Sequence, residues 1–214
     1  MKNLRDVLEE ADRNGIGIGH YNIFDLVGLE AVAEAGREVG VPVIVSLSEG
    51  ERKFIGTRVA AILVKYIREE HSQPIYLNAD HTHSLESATD AAKAGYDSIV
   101  FDRSELPIEQ NIRETKKAVE ALKSINPSIM IEGEIGYIGS GSEIHDRGLD
   151  NAVLSTPDEA REFVQATRVD VLAPAVGNMH GLLKSMVEGQ AEKRLKIDLI
   201  GEIKRSARVF KNVY

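Results

Sequence analysis

Asp80-His81-Thr82-His83 places a carboxylate and two imidazoles within four positions. A carboxylate beside a metal-ligand residue suggests a general acid or base working next to an electrophilic ion. The same residues also fit a plainer reading, an Asp capping the next helix and two solvated loop histidines. Two further segments carry donors of the same kind, Glu132-Gly133-Glu134 and Gly177-Asn178-Met179-His180-Gly181. Zinc takes imidazole nitrogen and carboxylate oxygen, and a catalytic site needs three protein ligands with one position open. Glycines on both sides of His180 suit a loop whose backbone amides approach an anion. Taken singly, Glu132 and Glu134 also read as charges on the polar face of an edge strand, and His180 as a solvated residue. With no Cys among the 214 residues, disulfides and thiolate nucleophiles are excluded, and any metal must be held by His, Asp or Glu.

The elements that must position these groups follow from the hydrophobic pattern. Residues 74–83 form an apolar run behind a Pro, the pattern of a buried strand in a parallel sheet. Alternation along that strand sets Asp80 and Thr82 on one face and His81 and His83 on the other, unless its end twists into a loop. Ahead of it the sequence predicts a helix over 3–13, a Gly-rich strand over 16–22, a helix over 25–40, a strand over 42–48 and a helix over 57–70. After it come a helix over 84–94, a strand over 98–102, a helix over 107–123 and a strand over 128–136. A long Gly- and Ser-rich loop reaches to about 155, followed by a helix opened by Thr156 and Pro157 and a strand over 169–176. A loop then leads to a last helix over 198–207, and residues 209–214 read as the approach to a further strand.

Strands and helices thus alternate strictly, with no linker or low-complexity tract, which predicts one α/β domain with a parallel sheet. An open doubly wound sheet and a closed (β/α)8 barrel both fit the alternation. Neither a G-x-G-x-x-G nor a G-x-x-x-x-G-K-[ST] motif is present, which argues against dinucleotide and P-loop chemistry. Polar residues recur at strand C-terminal ends instead: Asn22, Ser48, Asp80, Asp102 and Glu134, then His180 just beyond the last strand. That recurrence favours the TIM barrel, where every βα loop contributes to one mouth. A net charge of −8 argues against a nucleic-acid surface. No apolar run approaches the ~20 residues that span a bilayer. The N-terminus opens on a charged amphipathic helix without a signal-peptide core, so a cytoplasmic location is expected.

Six segments, in order, carry a resemblance: Tyr21-Asn22, Val43 to Ser48 with Glu49-Gly50, Asn78-Ala79-Asp80-His81, Phe101-Asp102-Arg103-Ser104 with Leu106-Pro107, Glu132-Gly133-Glu134-Ile135-Gly136, and Gly177-Asn178-Met179-His180-Gly181. Together they make the chain similar to the class II, metal-dependent ketose-bisphosphate aldolases, over nearly its whole length. The resemblance implies a (β/α)8 barrel and reversible aldol cleavage of fructose or tagatose 1,6-bisphosphate to dihydroxyacetone phosphate and glyceraldehyde 3-phosphate. It implies Zn²⁺ held by His81 and His180, with Glu134 at an alternative metal position or behind the ligands. Asp80 matches the acid/base for the C4 hydroxyl proton, and Glu143 the mobile-loop carboxylate of the other proton transfer. Gly181 and Lys184 match positions around the substrate phosphate and a monovalent cation such as Na⁺ or K⁺, and Asn22 and Ser48 match the lining of the substrate pocket. A phosphorylated ketose as partner and a homo-oligomer, dimer or tetramer, are implied as well.

The sequence departs from the family at Asn78, where a His is common, and at Arg103, where Gly is usual. His83 matches no ligand. The family's third zinc histidine and its phosphate-cradling glycines lie on strand seven, and a ketose-binding Asn segment on strand eight. Tyr214 comes before both, so the expectation is a barrel of about six βα units, C-terminally incomplete, with weak or no activity in isolation. The rival readings are another metal-dependent sugar-phosphate lyase or isomerase, and a non-catalytic barrel serving as a binding or assembly module.

Overall fold

The computed structural model describes residues 1–136, 144–145, 154–178, 180, 182–189 and 195–207. Helix α1 (Leu4–Asn14) is capped by Asn3, whose side chain accepts from the Asp6 amide, and ends at Gly15 in the left-handed region. Strand β1 (Gly19–Asn22), helix α2 (Leu26–Val39) and strand β2 (Val43–Leu47) follow. Next come α3 (Glu49–Ile55), α4 (Thr57–His71), β3 (Ile75–Thr82), α5 (Leu85–Ala94), β4 (Ser98–Phe101), α6 (Ile108–Ile125) and β5 (Met130–Ile135). The C-terminal part contains β6 (Ile144–His145), α7 (Pro157–Thr167), β7 (Val171–Pro174), β8 (Leu182–Leu183), α8 (Lys184–Val187) and α9 (Ile197–Ala207).

Six strands pair in parallel in the order β1-β2-β3-β4-β5-β7, each beside its predecessor, and β6 and β8 form a separate two-residue pair. Alternation divides the sheet into two faces. Val43, Val45, Leu47, Ile75, Leu77, Ala79, Ile99, Ile131 and Leu172 belong to one large core with buried residues of the surrounding helices. On the inner face Ile44, Tyr76, Met130 and Val171 cluster with Leu4, Val7 and Leu8 of α1. Ile44 and Val171 sit on strands four steps apart, about 19 Å in a flat sheet at ~4.8 Å per step. One α-helix gathers both, so the sheet must curl, as in a half-barrel whose N-terminal end α1 plugs. Side-chain contacts across two strand steps say the same: Asn22 on β1 donates to Asp80 on β3 at 2.9 Å.

Above the plug lies a polar layer. Asn78 is buried, donates to Ser46 Oγ at 2.9 Å and accepts from Ser98 Oγ at 2.7 Å, with His20 Nε2 3.3 Å away. Asn78 is thus tied to its strand neighbours one layer below Asp80.

Helix α3 is not predicted by the hydrophobic pattern, and neither are β6, β8 and α8, which fall in stretches expected to be loops. Helix α3 has seven residues, a glycine and no apolar period, but Ser48 and Glu51 form a reciprocal capping box, a signal present in the sequence. Residues 209–214, read as the approach to a further strand, lie outside the described residues. Among the described residues, no helix is long and apolar enough to cross a membrane.

Gly133 is required by packing. A Cβ there would lie 2.6 Å from Phe163 Cε1 and 3.0 Å from Val169 Cγ1. Phe163 is fully buried on α7 and cannot swing away. Gly133→Ala is expected to cost about 1–3 kcal/mol, read as a lower midpoint in thermal or urea denaturation; an unchanged midpoint would contradict this packing.

Candidate active site

Strand β3 does not keep strict alternation to its end. Ala79 pairs with Ile99 and Thr82 with Phe101, so Asp80 and His81 together oppose Val100 alone. Two residues against one is a β-bulge, and His81 takes φ 37°, rare for a residue with a Cβ. This corrects the alternation expected for this strand end. The bulge lets Asp80 and His81 both turn to the inner face, while Thr82, fully buried, returns to the helix side.

Asp102 and Glu134 reach the same place by register. Both continue the inward parity of β4 and β5, and both are buried. His81 Nδ1 lies 2.9 Å from Asp102 Oδ2 and 3.6 Å from Glu134 Oε2, and its Nε2 is 3.9 Å from Asp80 Oδ1. Ligand atoms of His81, Asp102 and Glu134 fall within 4.8 Å of one another. Asp102 is fixed from behind by the Ser104 amide at 2.9 Å and the Ser104 hydroxyl at 2.7 Å. His180 arrives from the other side. Gly177, at φ 98°, turns the chain after β7, and Asn178 Oδ1 accepts from the Val176 amide at 2.8 Å. The His180 ring then meets the His81 ring edge-on, centroids 4.6 Å apart.

The sequence-derived residues are therefore partly reunited. Asp80, His81, Glu134 and His180 converge, with Asn22 bonded to Asp80. Ser48 stands at the C-terminal end of β2, where its hydroxyl caps α3 by accepting from the Glu51 amide. Lys184 is exposed at the start of α8. Glu143 and Gly181 lie outside the described residues. His83 is half-exposed, its Nδ1 3.3 Å from the Asp102 carbonyl oxygen. Arg103 is turned aside, donating to Glu114 at 2.7 Å and to the His83 carbonyl at 2.7 Å. Asp102 is the residue that sequence reasoning left without a role. It was visible as a polar strand end, but only the register shows that it bonds His81.

The site's electrostatics follow from crowding acids in a buried space. The hydrogen bond to Asp102 raises the His81 imidazole to about 9, against burial, with Asp80 and Glu134 adding to the rise. Burial alone would raise Asp102, but hydrogen bonds from His81 and Ser104 outweigh it and hold the carboxyl at about 2. Burial, then the charge of Asp102, pushes Glu134 up to about 8. Burial and Asp80 push Glu132 up to about 7. A divalent cation would supply the positive charge these acids lack, and the nitrogen and oxygen donors fit zinc. His81 would lose its proton on binding it, and so would Glu134. Zn²⁺ binding at pH 7 should therefore release about two protons, falling toward none above pH 9, with affinity rising over that range. Calorimetry in buffers of different ionisation enthalpy measures this; no proton release at pH 7 would contradict the site.

The family model described as "Fructose-bisphosphate aldolase class-II" matches residues 2–213. A fructose-bisphosphate aldolase of Helicobacter pylori is 33% identical over 201 residues, which cover 94% of this chain and 64% of the relative. One from Thermus caldophilus is 35% identical over 179 residues, covering 84% of this chain and 58% of the relative. The chain thus spans about three-fifths of the length of these relatives. Among solved structures, the YdjI aldolase from Escherichia coli K12 superposes with a TM-score of 0.80 at 27% identity, over 97% of this chain and 70% of that one.

Proposed function

The chain belongs to the class II fructose-bisphosphate aldolase family, and on that premise we propose that its site carries out reversible, zinc-dependent aldol cleavage of a ketose 1,6-bisphosphate. The products are dihydroxyacetone phosphate and glyceraldehyde 3-phosphate. The observation that carries this reading is the placement of Asp80 beside His81, Asp102, Glu134 and His180 at one end of the sheet.

His81, His180 and Glu134 would hold the Zn²⁺, with Asp102 orienting the His81 ring and fixing which nitrogen faces the ion. When bound, Zn²⁺ supplies Lewis-acid stabilisation of the negative charge that cleavage leaves on the dihydroxyacetone phosphate oxygens. Asp80 is the base. Its carboxylate takes the C4 hydroxyl proton as the C3–C4 bond breaks, the C4 oxygen becomes the aldehyde, and the bond pair passes toward C2. Asn22 donates to Asp80 Oδ2 and so orients the carboxylate, whose Oδ1 lies 3.9 Å from His81 Nε2. Glu143 is assigned the proton at C3, Gly181 and Lys184 the phosphate and its monovalent cation, and Ser48 the pocket wall. The working protein is taken to be a cytoplasmic homo-oligomer.

Fructose and tagatose 1,6-bisphosphate should both be offered to the chain with added Zn²⁺ and then with a chelator. Slow, chelator-sensitive release of two trioses is the result that fits a C-terminally incomplete barrel, and the faster ketose identifies the C4 configuration preferred. Cleavage indifferent to the chelator would overturn the zinc assignment, and no cleavage of either ketose would overturn the activity for this chain. Asp80→Asn should lower kcat by ~10²–10⁴-fold with Zn²⁺ affinity held within about twofold.

A further inference from the structure

Arg52 is buried, yet it lies on the helix side of the sheet and faces away from the pocket. Its guanidinium donates to the Leu47 carbonyl at the end of β2, to the Asp80 carbonyl at 3.1 Å and to Thr82 Oγ1 at 3.0 Å. It also reaches Ser87 Oγ on α5 at 3.4 Å and the Glu49 carboxylate at 3.9 Å. The two β3 contacts fall on either side of His81. On the same short helix, Glu49 accepts from the His83 amide at 3.1 Å. Helix α3 therefore grips residues 80–83 from outside, while Asp80 and His81 point inward.

A grip is needed there. A Cβ-bearing residue in the left-handed region, as His81 is at φ 37°, is strained and persists only when its surroundings over-determine it. The part-buried Asp80 carbonyl, beside the bulge, accepts from Arg52, and a backbone acceptor shielded from water needs such a partner. Arg is suited to both tasks, because a planar fork of five donors can bridge acceptors on two strands and a helix at once. A neutral residue of similar size would fill the space and leave those acceptors unpaired.

We propose that Arg52 is a positioning residue, locking the β3 bulge so that the acid/base Asp80 and the metal ligand His81 are presented together to the site. This deepens the aldolase reading and rests on it.

The test compares Arg52→Met with Arg68→Met. Arg68 is a control of the same chemistry, since it braces Ile75 O at 2.9 Å and Asp97 at 2.6 Å near the opposite end of β3. Two quantities are read in each: Zn²⁺ affinity by competition with a chromophoric chelator, and amide exchange at His83 and Asp102. The Asp102 amide reports on the bulge because it donates to the Thr82 carbonyl at 3.0 Å. Arg52→Met should weaken Zn²⁺ binding at least tenfold and speed exchange at both amides at least tenfold. Arg68→Met, matched for loss of melting temperature, should change neither by more than about twofold. Equal loss of stability with both quantities unmoved in Arg52→Met would reduce Arg52 to a structural residue and overturn the proposal. If that variant does not fold, the Thr82→Val and Ser87→Ala pair removes two of the grip's acceptors, and the same readouts decide. Should the unaltered chain bind no Zn²⁺, the aldolase reading fails, and the exchange rates alone still judge the grip.

Discussion

Two residues of β3 facing one residue of β4 is the constraint on which the site depends. In an unbroken strand, Asp80 and His81 would lie on opposite faces of the sheet, one in the barrel and one among the helices. The bulge turns both inward. It also restores Thr82 to the helix side, where the hydroxyl meets Arg52. Chemistry in front and support behind thus arise from one local irregularity.

The inner face of the sheet is layered along the barrel axis. At the N-terminal end, α1 closes the interior with leucine and valine against Ile44, Tyr76, Met130 and Val171. The Asn78 layer above it is polar, with Asn78 bonded to Ser46 and Ser98. The third layer, with Asp80, His81, Asp102 and Glu134, differs in kind. There Asp80, Asp102 and Glu134 crowd around the His81 imidazole, and burial pushes Glu134 up to about 8. Stability is spent there on an arrangement that a cation would relieve, which is the usual mark of a functional site.

Much of this was legible in the sequence. The order of strands and helices follows from hydrophobic period and capping residues, and the inward position of Glu134 follows from parity once β5 is placed. The motif residues, read together, pointed to the family. What stayed hidden depended on tertiary pairing. No local pattern announces that β3 carries one residue too many for β4, so alternation set Asp80 and His81 apart. Asp102 looked like one more polar strand end until its distance from His81 was known. Helix α3 lacks an apolar period, and the residue it buries, Arg52, bonds polar groups of β2, β3 and α5. Its capping box was there to be read, but seven residues give periodicity too little length to register.

The β3 bulge turns Asp80 and His81 into one pocket, and Zn²⁺ is the ion proposed to bind there. Diffraction from crystals soaked in Zn²⁺, recorded on both sides of the zinc absorption edge, tests this most directly. The account predicts an anomalous peak within bonding distance (about 2.0–2.1 Å) of a His81 ring nitrogen, with His180 also coordinating and the Asp80 carboxylate alongside but unbound. A peak bonded to neither histidine, or a β3 strand whose regular alternation carries Asp80 and His81 to opposite faces, would contradict it.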